Sequence, residues 1–286
     1  MERKVDTFGF VNVDKPSGMT SSAVVNRVKW LTGLPCGHMG TLDPLAGGVL
    51  PVGVGNATRL FEYFLNKQKE YVAEFTFGVT SDTLDSTGEL IPGGAVPAAE
   101  EIAAVLPRFV GKLSQIPPRY SAKNINGRRG YDLARAGVDF ELPPKEVTVY
   151  SFELLGPAEK ADAFRFRIRC GGGTYIRSLA RDVAEALGTK AVMSALRRTQ
   201  SGCFEIGNAI AFEALNEDTI ARAILPTERV LPFETLVLPA GGDRIFHGVP
   251  VRTDAPDGSY KIYRGQEFYG IAEVKAGRAR IGTKLC

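Results

Sequence analysis

Between Phe164 and Cys170 the chain alternates without a break, with Phe164, Phe166, Ile168 and Cys170 set against Arg165, Arg167 and Arg169. Side chains of a strand point to opposite faces with a period of two, so this stretch is a strand with one apolar and one charged face. Tyr71 to Phe77 repeats the arrangement, with Tyr71, Ala73, Phe75 and Phe77 on one side and Val72, Glu74 and Thr76 on the other. Further strands are expected at 8–13, 49–54 and 147–155. Helices are expected between them. Thr20 or Ser21 caps one whose Val24, Val28 and Leu31 share a face before Gly33 and Pro35 stop it. Residues 57–66 read as helical, and another helix starts at Pro97, buries Ile102, Val105, Leu106 and Phe109, and ends by Gly111. A last one runs from Tyr175 to Leu187, with Gly188 marking its end.

At 286 residues the chain is long enough for one large domain, or one large and one small, at about 150 residues per domain. The texture changes near residue 231, where short Val/Ile/Tyr runs separated by Gly, Pro and Asp suggest a small all-β module. Residues 117–146 hold two prolyl pairs around a basic middle and read as an excursion from the main sheet, a common form of binding loop.

Several chemistries are excluded. Cys36, Cys170, Cys203 and Cys286 contain no C-x-x-C pair, and His38 and His247 do not complete a metal cluster, so no metal is expected. Gly53-Val54-Gly55-Asn56 and Gly171-Gly172-Gly173-Thr174 lack the Walker lysine and the full dinucleotide fingerprint, which removes a nucleotide cofactor. No apolar run approaches the roughly 18 residues that span a bilayer, and no signal peptide is visible; the expectation is a cytoplasmic protein without a membrane partner. The net charge is only +3. Residues 165–200 nevertheless hold eight basic residues against Asp182 and Glu185, and 119–135 hold five against Asp132, with Tyr120, Tyr131 and Tyr175 interleaved as surfaces on which bases could stack. The charge pattern leans towards RNA.

Chemistry then rests on carboxylate, tyrosine and arginine. In Thr41-Leu42-Asp43-Pro44 a carboxylate directly precedes a proline inside the Gly-rich loop 37–48, where glycines let the backbone approach a ligand. An Asx-type turn explains the same residues. With Thr174 as N-cap, Arg177 falls at the third helical position, where a cation opposes the helix dipole; pairing with an anion, a phosphate contact and a neutral exposed position all remain open there.

Longer blocks carry a resemblance. Gly9-Phe10-Val11-Asn12-Val13-Asp14-Lys15-Pro16-Ser17-Gly18, the loop from Gly37 to Pro51, Lys69-Glu70-Tyr71, Ser81-Asp82-Thr83-Leu84-Asp85-Ser86-Thr87-Gly88, Gln115-Ile116-Pro117-Pro118-Arg119-Tyr120, Tyr131-Asp132-Leu133-Ala134-Arg135, Gly173-Thr174-Tyr175-Ile176-Arg177 and Leu196-Arg197-Arg198-Thr199 follow in order over the first 205 or so residues. In these the chain resembles the bacterial tRNA pseudouridine-55 synthases, the TruB family. The lysine of that family's Ser-Ala-x-Lys stretch stands one place early here, as Lys123.

The resemblance implies an α+β protein: a pseudouridine synthase fold with a mixed, largely antiparallel sheet flanked by helices and loops, and a small C-terminal PUA-like β-barrel. Residues 1–230 would be the catalytic domain, 117–146 its RNA-gripping insertion, and 231–286 the PUA-like domain. It implies a cofactor-free isomerase that flips uridine 55 out of the tRNA T-loop, detaches the uracil and rejoins it through C5. Asp43 matches the catalytic aspartate, Tyr71 the tyrosine that stacks on the flipped base, and Arg177 the arginine paired with the aspartate. His38, Lys15, Tyr175, Leu196, Arg119 and Tyr120 match substrate-binding or support positions. The implied partner is the tRNA T-arm stem-loop, bound by a monomer that requires no protein partner. An RNA-binding protein without catalysis and an enzyme that only cleaves the nucleoside are the rival readings of the same residues.

Overall fold

The computed structural model describes residues 8–65, 67–120, 124–125, 128–129, 138, 140 and 142–285. The Tyr131 to Arg135 block, Lys123 and most of the basic stretch 119–135 lie outside the described residues.

A central mixed sheet carries the molecule. Its main strands are β1 (Gly9–Lys15), β2 (Gly47–Val54), β3 (Lys69–Phe77), β4 (Gly111–Gln115), β5 (Lys145–Pro157), β6 (Ala163–Cys170) and β7 (Ala191–Ser201). In space they run β1-β2-β7-β3-β6-β5-β4, every neighbouring pair antiparallel except the short parallel contact of β7 with β2. The alternating segments are β3 and β6, side by side with Tyr71 opposite Ile168. Their apolar faces build the core: Phe75 stacks on Phe166 at 4.6 Å between ring centroids, and Phe152 of β5 meets both edge-on.

Helix α1 (Ser21–Thr32) starts where the Thr20 hydroxyl accepts a hydrogen bond from the Ala23 N–H, and stops at Gly33, whose φ of 69° suits the left-handed cap. Its buried Val24, Val28 and Leu31 pack on the sheet core. Helix α2 (Ala99–Val105) is capped from within: Ala98 is the N-cap, and Glu101 accepts its N–H at 2.8 Å. Pro97 therefore precedes the helix instead of opening it. Helix α3 (Ile176–Ala186) follows the Gly-rich turn after β6. The expected helix over 57–66 is a 3₁₀ turn at Gly55–Leu60 with a single α turn at Glu62–Leu65. There the Thr58 hydroxyl donates to the Gly55 carbonyl at 2.8 Å, engaging that acceptor within a tight turn.

Beyond residue 231 a second sheet of four antiparallel strands forms, β8 (Val251–Arg252), β9 (Gly258–Arg264), β10 (Glu267–Lys275) and β11 (Arg278–Lys284), in the order β8-β11-β10-β9. It has its own apolar cluster around Ile245, Val251, Ile262 and Val274. It is also seated on the main domain: Phe268, Ile271 and Leu285 share a cluster with Phe10, Met39, Val49 and Leu60.

Gly48 opens β2 against β7 with φ of +97°, and a Cβ there would stand 2.2 Å from the Arg198 carbonyl oxygen. Gly111 has a similar φ, +106°, and open space around it. Gly111→Ala should therefore cost about 1 kcal/mol, the backbone strain alone, and Gly48→Ala roughly 3 kcal/mol or more, because a main-chain atom must also move. Denaturant melts of the two variants beside wild type measure the difference.

Candidate active site

The Gly-rich loop between α1 and β2 holds Asp43 from several sides. Ser21, at the start of α1, donates its hydroxyl to the Leu42 carbonyl at 2.8 Å and accepts the Leu42 N–H at 2.9 Å. Gly18 N–H reaches the Pro44 carbonyl and Ala46 N–H the Asp43 carbonyl. From below, Arg198 donates to the carbonyls of Val49 at 2.7 Å and Gly40 at 3.0 Å. The turn at Asp43 is closed by main-chain bonds, not by an Asx bond from the carboxylate, whose side chain is 40% exposed and pairs elsewhere.

Arg177 meets that carboxylate, Nη2 to Oδ2 at 2.8 Å. The arginine is almost fully buried, and its head group has further partners: Nη1 donates to the Thr83 carbonyl at 2.9 Å and Nη2 to the Tyr120 carbonyl at 3.0 Å. Behind it lies Asp85, Oδ2 3.5 Å from Nη1 and 5% exposed. Asp85 is itself satisfied by the hydroxyls of Thr83 and Thr87 and the Thr87 N–H. One guanidinium therefore bridges a buried carboxylate and an open one. Anion pairing decides between the three readings that the sequence left open for Arg177.

The cap expected from Thr174 is replaced. Tyr175 is the N-cap, Arg177 sits at the second helical position, and the Thr174 hydroxyl turns back to the Gly171 carbonyl. A side chain from a distant strand takes over: Gln115, at the end of β4, accepts the Tyr175 N–H at 2.8 Å and donates to the Tyr175 carbonyl at 3.1 Å. Ser178 and Arg181 then donate to the Ile116 carbonyl, strapping the first turns of α3 to the same segment.

Tyr71 lies on the core face of β3, directly opposite Arg198 of β7. Burial pushes its phenol above the usual range, partly offset by the Arg198 charge, so it stays protonated at neutral pH. His38, at the end of the short Cys36–His38 strand, is held below its ordinary value by burial and by Arg198; its Nδ1 is buried without a partner among the described residues. Lys15 closes β1, fully buried, its ammonium donating to the Pro16 and Met19 carbonyls. Burial pushes it down to about 8, against the pull of Asp43. Lys69, buried on β3, is likewise pushed down to about 8 by burial and by Arg198. Leu196 shares the face of β7 that carries Arg198 and packs against the main core. The structure thus gathers Asp43, Arg177, Tyr71 and Lys15 into one neighbourhood, and Tyr120 joins through its carbonyl while its hydroxyl donates to Asp82. Arg119 points elsewhere: it is exposed, donates to the Val138 carbonyl and lies over the Phe140 ring.

Sequence reasoning assigned no role to Asp85, Gln115 or Arg198. It also counted the charge of 165–200 without its partners in space. Six of the eight basic residues there form ion pairs: Arg167 with Glu153, Arg169 with Glu70, Arg177 with Asp43, Arg181 with Asp182, Lys190 with Glu185 and Arg197 with Asp14. Arg165 lies opposite Glu74 in register, and Arg198 is buried. Most of the positive charge of the stretch is thus matched by a carboxylate close in space. Among the described residues no group of three or more His, Cys, Asp or Glu side chains could hold a metal ion.

A family model described as the TruB family pseudouridylate synthase N-terminal domain matches residues 29–176, and one described as the tRNA pseudouridylate synthase B C-terminal domain matches residues 177–237. A protein of Acaryochloris marina named tRNA pseudouridine synthase B is 40% identical over 278 residues, which cover 94% of this chain and 96% of that one. Its namesake in Anaplasma marginale is 42% identical over 229 residues, 78% of this chain and 75% of its own length. Among solved structures, a crystal structure of a Cbf5-Nop10-Gar1 complex matches 93% of this chain and 78% of the solved chain with a TM-score of 0.70 and 29% identity. An H/ACA RNP bound to a substrate RNA containing 2′-deoxyuridine matches 98% of this chain and 85% of its own, with a TM-score of 0.70 and 26% identity.

Two outcomes follow from this geometry. Asp85→Asn removes the buried counter-charge of Arg177 and should destabilise the fold by about 3 kcal/mol, whereas Asp43→Asn, at the half-exposed end of the pair, should cost about 1 kcal/mol or less. Denaturant melts test this contrast. For Lys15 the folded state binds its proton less tightly than the unfolded state does. Stability therefore rises with pH from about 8 towards the ordinary lysine value near 10.5. Lys15→Met should remove on the order of 1–2 kcal/mol of the stability gained between pH 7.5 and 9.5, read from melts at the two pH values.

Proposed function

Since this chain belongs to the TruB family of pseudouridylate synthases, we propose that its cleft converts uridine 55 in the T-loop of tRNA to pseudouridine, with Asp43 reacting and Arg177 holding it in place. The observation that carries this reading is the 2.8 Å pair between the half-exposed Asp43 carboxylate and the buried Arg177 guanidinium. Such an arrangement fixes one carboxylate oxygen against the protein and leaves the side chain partly open to solvent.

The family chemistry is an isomerisation in which every atom is conserved. The bond from N1 of uracil to C1′ of the ribose breaks, the ring turns, a bond forms from C5 to C1′, C5 gives up its proton and N1 acquires one. A base in a folded loop must first leave its stack, at a cost of a few kcal/mol that pocket contacts offset. The carboxylate of Asp43 serves by attacking C1′, by attacking C6, or by stabilising the oxocarbenium-like sugar while the base is detached. Tyr71 offers a flat ring to stack on the base and, still protonated, a proton to give. Lys15, His38, Tyr175 and Leu196 shape the pocket in this reading, and Tyr120 and Arg119 guide the RNA strand beside it.

The same proposal places the enzyme in the cytoplasm as a monomer acting on the T-arm stem-loop, without a cofactor or a required protein partner. It is supported by the balanced reaction, which consumes nothing, and by the presence of Asp43, Tyr71 and Arg177 in one chain. Among the described residues no helix is long and apolar enough to cross a membrane. The division into a catalytic domain over 1–230 and a PUA-like domain over 231–286 belongs to this reading as well; the separate apolar cluster around Ile262 supports it.

A T-arm stem-loop carrying tritium at C5 of the target uracil tests the proposal. One tritium should be released per turnover, and the same RNA without the label should keep its mass and its full complement of bases. Asp43→Asn should slow release by at least about a thousandfold and leave RNA affinity within about threefold of wild type. Free uracil beside an abasic RNA would replace isomerisation by cleavage, and affinity lost in step with activity would make Asp43 an RNA-holding residue.

A further inference from the structure

The second sheet does more than rest on the main domain. Met39 and Val49, the two residues that bracket the Asp43 loop, are 1% and 0% exposed and lie in one apolar cluster with Phe268 and Ile271 of β10 and with Leu285. Both bracket residues also carry main-chain bonds that set the loop: Met39 N–H donates to the Pro51 carbonyl, and the Val49 carbonyl accepts from Arg198. The seat is pinned by polar contacts at its rim. Asn56 donates to the Leu285 carbonyl at 2.7 Å, Arg59 donates to the Lys284 carbonyl at 3.0 Å, and the Tyr63 hydroxyl donates to Glu273 of β10 at 3.2 Å. Glu273 in turn accepts from the Ser259 hydroxyl, tying the rim to β9. Close-packed cores transmit displacement because they hold almost no free volume to absorb it. A gap opened under Met39 and Val49 is therefore felt at both ends of the loop between them.

We infer that the second sheet is a buttress of the reaction itself, with Leu285 and Phe268 positioning residues that hold the Asp43 loop from behind. The inference rests on the reading of Asp43 as the reacting carboxylate. It makes the sheet's contribution one of rate. A displacement of about 1 Å in a reacting group is enough to slow a reaction a hundredfold.

Leu285→Ala, measured by single-turnover tritium release at saturating enzyme, should slow the chemical step by roughly ten- to a hundredfold, with the affinity for the T-arm stem-loop within about threefold of wild type. Ile245→Ala truncates a buried residue in the separate cluster of the second sheet and is the structural control; it should leave the rate near wild type. Leu285→Met, which conserves volume, should restore most of the rate. Amide hydrogen exchange at Met39 to Leu42 should quicken in Leu285→Ala and stay unchanged in Ile245→Ala, and it needs no activity to be read. If Leu285→Ala does not fold, Leu285→Val and Phe268→Leu carry the same comparison. Affinity lost with the rate retained, equal slowing by both truncations, or unchanged exchange at Met39 to Leu42 would overturn the buttress. Wild type that releases no tritium would instead sink the reading of Asp43, which keeps the two failures apart.

Discussion

Arg177 governs the architecture of the candidate site. A guanidinium stays charged at any pH that a protein survives, and an uncompensated charge in a protein interior costs several kcal/mol. The chain meets that demand from three separate segments: the carboxylate of Asp43, the carbonyl of Thr83 with the carboxylate of Asp85, and the carbonyl of Tyr120. Their positions are consequently dependent on one another. The Gly-rich loop, the Ser81 to Gly88 string and the start of the excursion converge on one head group, and moving any of them leaves a donor unsatisfied. The two carboxylates differ in what surrounds them. Asp85 is enclosed by hydroxyls and an N–H, so it compensates charge; Asp43 is 40% exposed, as the proposed reacting carboxylate must be.

The sheet was legible in the sequence because its strands obey a local rule. Alternation at 71–77 and 164–170 locates β3 and β6 and names the phenylalanines of the core, and Thr20 with Gly33 delimits α1 through groups only a few residues away. What was hidden depended on partners far along the chain. Thr174 had the chemistry of an N-cap, yet Gln115, 60 residues earlier, already satisfied both main-chain groups of Tyr175, so the helix began one residue later. Asp85 sits in a run of Ser, Thr and Asp that reads as a turn; its role emerges only when Leu84 bonds to Met193 of β7 and brings the string under Arg177.

The same distinction explains the charge of 165–200. Adjacent arginines on a strand point to opposite faces. Arg197 goes outward to Asp14, and Arg198 goes inward, fully buried, to the carbonyls beneath the Asp43 loop. A sequence count gives both the same weight. Likewise Arg165, Arg167 and Arg169 mark a polar face, but that face was half acidic once β3 and β5 supplied Glu70, Glu74 and Glu153 across from them. Linear charge density measures electrostatic potential only where neighbours in space are also neighbours in sequence.

A loop that does chemistry must be as rigid as the elements around it, although it lacks a strand ladder to make it so. Here the rigidity is assembled from unlike parts. Ser21 locks Leu42 with two bonds, Gly18 takes the Pro44 carbonyl, Arg198 takes Gly40, and Gly48 lets β7 approach as no other residue would. Met39 and Val49 close the base in an apolar cluster. The main chain on both sides of Asp43 is held by bonds, and its carboxylate by Arg177, while the side chain stays 40% exposed. The glycines of the loop thus serve close packing, and the freedom they confer on the backbone is used up in reaching one conformation.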